Sequence, residues 1–288
     1  MERIVRSQRV CGAMNTSKFD NLPTLGTTLG ALAARECRAL QRALAMRSKR
    51  QEGIHEARKS CRRLRSLLPL LPSNGPIDAL DQNLRQLAHS LAPLRDAHIA
   101  ARTARVLASA HPSRFTPEIL RAFDDRTNAL LGNALNDDPN WRQRRTDVQH
   151  MAAAIGDMPW QDILPGWTKK VVKRARRKVK RAREKALSER TPPFMHRWRR
   201  RARKLRYQLE FLRKARRVAG MKKPRTKRYG EQAKQLGAIT DQLGWRQDFQ
   251  IFLDAIEQLP DTADARALRR ELKLKSASWS KSEPRSAS

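Results

Sequence analysis

Acidic residues are scarce in this chain. Twenty-eight aspartates and glutamates stand against 62 lysines and arginines, a formal charge of +34 in 288 residues. So unbalanced a chain repels itself unless counter-anions are close, which points to a polyanionic partner. Cysteine is scarce too: Cys11, Cys37 and Cys61 are too few and too scattered for a disulfide framework or a metal knuckle. Their odd number fits a reducing compartment. There is no run of 18 apolar residues, which excludes a helical membrane span. Alternating β-branched runs are missing, so the chain reads as all-α. The glycines form no phosphate-cradling loop, and no cofactor or metal centre is expected; His89, Asp96 and His98 have no ligand spacing between them.

What is present is a repeated ladder of cations. His55 is followed by Arg58, Lys59, Arg62, Arg63, Leu64 and Arg65, and His196 by Arg199, Arg200, Arg203, Lys204, Leu205 and Arg206. The offsets from the histidine are identical. At about 100° per residue, each histidine and its five cations fall on one helix face, and the leucine lands opposite. The opposite face repeats as well: Ile54, Ala57, Cys61, Leu64, Leu68 and Leu71 match Met195, Trp198, Ala202, Leu205, Leu209 and Leu212. That spacing is the seam of a helix packed in a bundle. An ordinary solvated face would mix signs; here Glu56 is the lone acid within either ladder.

The repetition extends outward. Leu22-Pro23 opens a helical segment ahead of His55 and Leu164-Pro165 opens one ahead of His196. Downstream, Leu91 to Asp96 is echoed by Leu243 to Asp248. Proline and glycine punctuation cuts the chain into roughly ten helices, with a break near Leu68 forced by Pro69. The organisation expected is a flexible leader at 1–21, related helical halves at 22–157 and 158–275, and a Ser-rich disordered tail at 276–288. The leader has no apolar core of the secretory kind, so a cytoplasmic protein is expected.

Charge is concentrated in the second half. Between Pro165 and Arg228, 28 lysines and arginines meet three acids, a net +25. The first helix there carries Lys169, Lys170, Lys173 and Arg177 around a thin stripe of Val172, Ala175, Val179, Ala182 and Ala186. These four cations, with Tyr207, are additional candidates for anion contact. The stripe lacks the bulky apolar side chains that membrane-surface helices insert.

The two ladders, in a duplicated helical chain, resemble the conserved histidine α-helical domain family (CHAD). Leu94-Arg95-Asp96, and Leu243-Gly244 with Asp248, resemble its second signature. The resemblance spans about residues 22–275. It implies two pseudo-symmetric, antiparallel four-helix bundles around a shared basic cavity or pore, which binds inorganic polyphosphate without catalysis. The binding set carried over is His55, Arg58, Lys59, Arg62, Arg63 and Arg65, with His196, Arg199, Arg200, Arg203, Lys204 and Arg206. Two residues depart from the pattern: Gln247 stands where asparagine is frequent, and Arg201 stands where the first copy has Ser60.

The chemistry agrees. Eight of the ten ladder cations are arginines, whose planar fork matches two phosphate oxygens. A histidine at the edge of such a cluster is biased toward neutrality until an anion arrives. Nucleic acid is the alternative partner, since phosphate contacts alone do not separate polyanions. Only Tyr207 would offer a base a stacking surface beside the second ladder. Histidine phosphotransfer is a weaker reading, because neither site has an evident acid or metal partner.

Overall fold

The computed structural model describes residues 23–72 and 75–279. Among them are ten α-helices and no strand. In chain order these are α1 (Leu25–Ala45), α2 (Arg50–Leu67), α3 (Gly75–Ser90), α4 (Ala92–Ala110), α5 (Pro117–Asp137), α6 (Arg142–Gly156), α7 (Pro165–Glu189), α8 (Pro192–Val218), α9 (Lys223–Ile256) and α10 (Ala263–Trp279). Proline occupies the first or second position of α4, α5, α7, α8 and α9, where its missing N–H costs no helical hydrogen bond. Thr24 caps α1 by accepting from the Thr27 amide at 3.1 Å. As Pro69 requires, α2 stops at Leu67 and a single 3₁₀ turn follows. The expected leader lies outside the described residues. The helix α10 runs through Ser276 to Trp279, and the rest of the expected tail lies outside the described residues.

Both seams read from the sequence are turned inward. Ile54, Ala57, Cys61, Leu64, Leu68 and Leu71 are all buried, as are Ala202, Leu205, Leu209 and Leu212; Trp198 packs against the same core while remaining half-buried. Short connections fold α1 onto α2, α7 onto α8 and α8 onto α9 as antiparallel neighbours.

The interior divides in a way the halves do not. One apolar cluster draws on α1, α2, α3, the first turn of α4, α6, α7, α8 and the beginning of α9. The other joins α4 and α5 to the end of α9 and α10, around Phe115, Phe123 and Phe252. Each core therefore mixes both halves, because α8 packs on α1 and α2 while α9 runs on to reach α4. Trp160 seats against α1, where a methyl group at Gly26 would lie 2.0 Å from the Trp160 carbonyl oxygen, and its indole N–H donates to Ile155 at 2.7 Å. The 3₁₀ turn Trp160–Asp162 packs on α1. Among the described residues no helix is long and apolar enough to cross a membrane.

Candidate functional site

Four helices form a closed ring, each touching the next: α2 with α8, α8 with α9, α9 with α4, and α4 with α2. Two come from each half, and the ladders belong to α2 and α8. Because each seam is buried on one side of its helix, the cationic face is left for the middle of the ring. Beside the ring, between α2, α3 and α8, a cleft of about 370 Å³ opens, shared by Arg62 and Arg65 of α2 and by Arg200, Arg203 and Lys204 of α8. Arg85, Arg197 and Arg201 complete its wall with Tyr207, and among the described residues no carboxylate lines it.

The ladder cations divide by their partners. Offset 10 is tied down in both copies: Arg65 donates to both oxygens of Asp81 at 2.9 and 2.8 Å, and Arg206 pairs with Glu210 at 3.3 Å and donates to Thr240 Oγ1 at 3.2 Å. Lys59 reaches back to Glu56 at 3.0 Å. Arg63 stands apart from the rest of the expected binding set. It is only 15% exposed, pairs with Glu36 at 2.9 Å and Glu210 at 3.5 Å, and lies over the rings of Tyr207 and Phe211. Offset 8 sits at the edge of the cationic arc, about 80° from the histidine, so on α2 it falls into the α1–α8 interface instead of the cleft.

Among the described residues, offsets 3 and 7 have no ion-pair partner in either copy. Arg58 donates to the Ala88 carbonyl, and Arg199 donates to Thr240 O at 3.1 Å and Gln247 Oε1 at 2.6 Å. Arg62 and Arg203 face each other's charge across the cleft. Burial first, then Arg62 and Arg199, push the Arg203 guanidinium below the usual arginine range; burial does the same to Arg62, with Tyr207 opposing. Arg58 is pushed down to about 10 by burial and then by Arg62. An arginine keeps its proton near neutral pH, so these shifts register burial first and then mutual repulsion, and an incoming anion would relieve the second.

Arg95 is the member that sequence reasoning misses. Its guanidinium pairs with Asp96 at 2.9 Å and with Asp248 at 2.7 Å, across 153 residues of chain. The aspartates of the two echoed segments thus meet on one arginine, 16% exposed, whose charge also depresses His55, Arg58, Arg62, Arg199 and Arg203. Its position inside Leu94-Arg95-Asp96 is the signal that points to it. The equivalent position, Gln247, holds Arg199 and hydrogen-bonds His196.

Both histidines sit on this ring with their pKa lowered. For His55 partial desolvation comes first, opposed by Glu56 and reinforced by Arg62, Arg95 and Lys59. For His196 desolvation is followed by Arg200, with Gln247 opposing. Neutrality in the free protein is as expected, but burial outweighs the cations as its cause.

Two further candidates fall elsewhere. Lys169, Lys170, Lys173 and Arg177 are exposed and do not line the cleft, because the stripe of α7 docks on α8 and turns them outward. Tyr207 lines the cleft but is 4% exposed. Arg63 and Arg206 flank its ring at 5.4 and 5.1 Å, so it braces arginines and leaves no open face for a base.

Known proteins share this architecture. Residues 30–257 match the family described as CHAD domain. The fold is similar to a crystal structure of the CHAD domain from the plant Ricinus communis, with a TM-score of 0.67 and 19% sequence identity over 90% of this chain and 89% of that one. No curated protein matches.

Proposed function

This chain belongs to the CHAD domain family, and from that premise we propose that it binds inorganic polyphosphate without catalysing its turnover. The observation that carries the reading is the acid-free cleft in which cations of both ladders converge. We read the ring of α2, α4, α8 and α9 as the seam between two pseudo-symmetric bundles, with the cleft as their shared basic cavity. The binding set is Arg58, Arg62, Arg199, Arg200, Arg203 and Lys204, edged by His55 and His196. Arg63, Arg65, Arg206 and Lys59 hold the wall. A flexible chain of phosphates can thread such a cleft and neutralise successive arginines, releasing its counterions. A nucleic-acid strand brings bases that need stacking surfaces, and the cleft's one aromatic residue is covered. The exposed cations of α7 support the second reading, contact with a nucleic-acid backbone. Association with polyphosphate granules in the cytoplasm would follow from the first.

The deciding experiment is a competition titration at physiological salt, with labelled polyphosphate displaced by unlabelled polyphosphate, RNA or DNA. Polyphosphate should displace at far lower phosphate concentration; equal displacement by RNA would reverse the order of the two readings. With about six phosphates neutralised, log K should fall against log salt with a slope of roughly −4.

Acidity supplies a second check. The histidine pKa values are lowered in the free protein and would rise beside phosphate, so binding takes up protons and affinity should grow as pH falls from about 8 to about 6. Replacing His55 and His196 with glutamine should flatten that profile and leave the salt slope. A double variant whose pH profile matched the parent's would assign the histidines a structural role only.

A further inference from the structure

A second cavity, of about 600 Å³, adjoins the cleft, and its chemistry is different. Its walls combine an apolar part, formed by Leu71, Ile77, Val171, Ala175 and Leu205 with the indole of Trp167, and charged side chains at its margins. Arg201 and Lys204 line both spaces, so the two are joined through a cationic sill. Arg201 is the residue that breaks the repeat: its counterpart Ser60 is buried, whereas Arg201 is exposed on the sill.

Bare phosphate would leave the apolar part of this cavity unfilled. Asp78 and Asp81 line its α3 side and Arg174 and Lys178 its α7 side, and between them the apolar side chains offer phosphate oxygens no donors. Two polar atoms inside the protein remain without partners there. One is the Oε1 acceptor of Gln208, a side chain only 2% exposed; the other is the Nε1 donor of Trp167. Unpartnered buried groups of this kind cost free energy until something pairs with them. The matching occupant has a flat, largely apolar ring carrying its own donors and acceptors, attached to a phosphate chain that crosses the sill. The volume lies in the range of small-molecule sites, about 300–1,000 Å³.

We infer that the joined cavities form a binding site for a nucleoside polyphosphate, with the base among Trp167, Ala175 and Gln208 and the phosphates passing Arg201 and Lys204 toward Arg200 and Arg203. This rests on the cleft being a polyphosphate site and names a further ligand class for it. Asp78 and Asp81 would then accept from base amino or ribose hydroxyl groups.

The test is calorimetric titration of the whole chain with adenosine triphosphate, inorganic tripolyphosphate and long-chain polyphosphate. The nucleotide should bind about tenfold more tightly than tripolyphosphate, although tripolyphosphate carries at least as much charge, because the base buries apolar surface. Ala175→Phe fills the cavity and should bring the nucleotide down to the level of tripolyphosphate, leaving tripolyphosphate unchanged. Gln208→Leu, close in size and free of polar atoms, should narrow the preference with the fold intact, which guards against a misfolded first variant. If long polyphosphate binds while the nucleotide is no better than tripolyphosphate, this inference fails and the proposed function stands. Failure of all three ligands to bind overturns the proposed function itself. A nucleotide preference that survives both substitutions removes the base from this cavity and overturns the inference.

Discussion

Reversing Arg62 and Arg203 together to glutamate should lower polyphosphate affinity by roughly a hundredfold or more, since removing one desolvated cation from its phosphate costs about 2 kcal/mol or more. The two guanidiniums occupy offset 7 of their ladders, line one cleft and have no carboxylate partner among the described residues. Folding should be unharmed, and thermal stability unchanged or higher, because repulsion among Arg62, Arg95, Arg199 and Arg203 is relieved. The control is Lys173→Glu with Arg177→Glu on the outer face of α7, an identical change in net charge. It should weaken binding by less than about threefold at physiological salt, where exposed charges are screened. Equal losses in the two double variants would show that total charge, and not the cleft, holds the ligand.

Removing Arg63 should have the opposite signature. Arg63→Ala leaves Glu36 and Glu210, 15% and 29% exposed, without their shared cation, and strips a guanidinium from two aromatic faces. Breaking a largely buried ion pair from one side costs about 3 kcal/mol or more, so chemical denaturation should shift strongly while the folded fraction keeps its polyphosphate affinity. Lys204→Ala, at the same offset of the other ladder, should instead reduce affinity with little change in stability. A stable Arg63→Ala protein with weakened binding would return Arg63 to the binding set.

That contrast shows what one sequence can and cannot convey. Helix periodicity is a local property, so the seams, the cationic faces and the break at Pro69 are legible in it. Offset 8 looks the same in both copies because position on a helix depends only on spacing. Its role is decided by acids on other helices: Glu36 on α1 and Glu210 on α8 surround Arg63, whereas Lys204 opens toward the cleft. The same long-range placement hides Arg95, which reads as one cation beside an aspartate until α9 brings Asp248 to it. The α7 cations mislead for a simpler reason. Charge density singles them out, but the narrow stripe docked on α8 sets their direction.

The division of the interior into two shared cores has a consequence for folding. With Arg95 and Asp248 joined across 153 residues, no half can complete the ring alone, and the pairings that close it are non-local ones that raise the entropic cost of the transition state.

Along the α8–α9 hairpin, three glycines of α9 recur every seven residues, and each faces an arginine of α8 at the same interval. Added methyl groups would stand 3.0 Å from Arg213 Cδ at Gly230, 3.7 Å from Arg206 Nη1 at Gly237, and 2.7 Å from Arg199 Nη2 at Gly244. The spacing is that of a meshed rack, with teeth on one helix and gaps on the other. A rack of this kind tolerates the exchange of a tooth but not a change in tooth count. One residue inserted into α8 between Arg199 and Arg213 rotates everything beyond it by about 100°, so at least one arginine would leave its gap. The evolutionary signature to expect is a pair of helices that vary freely in composition and hardly at all in length.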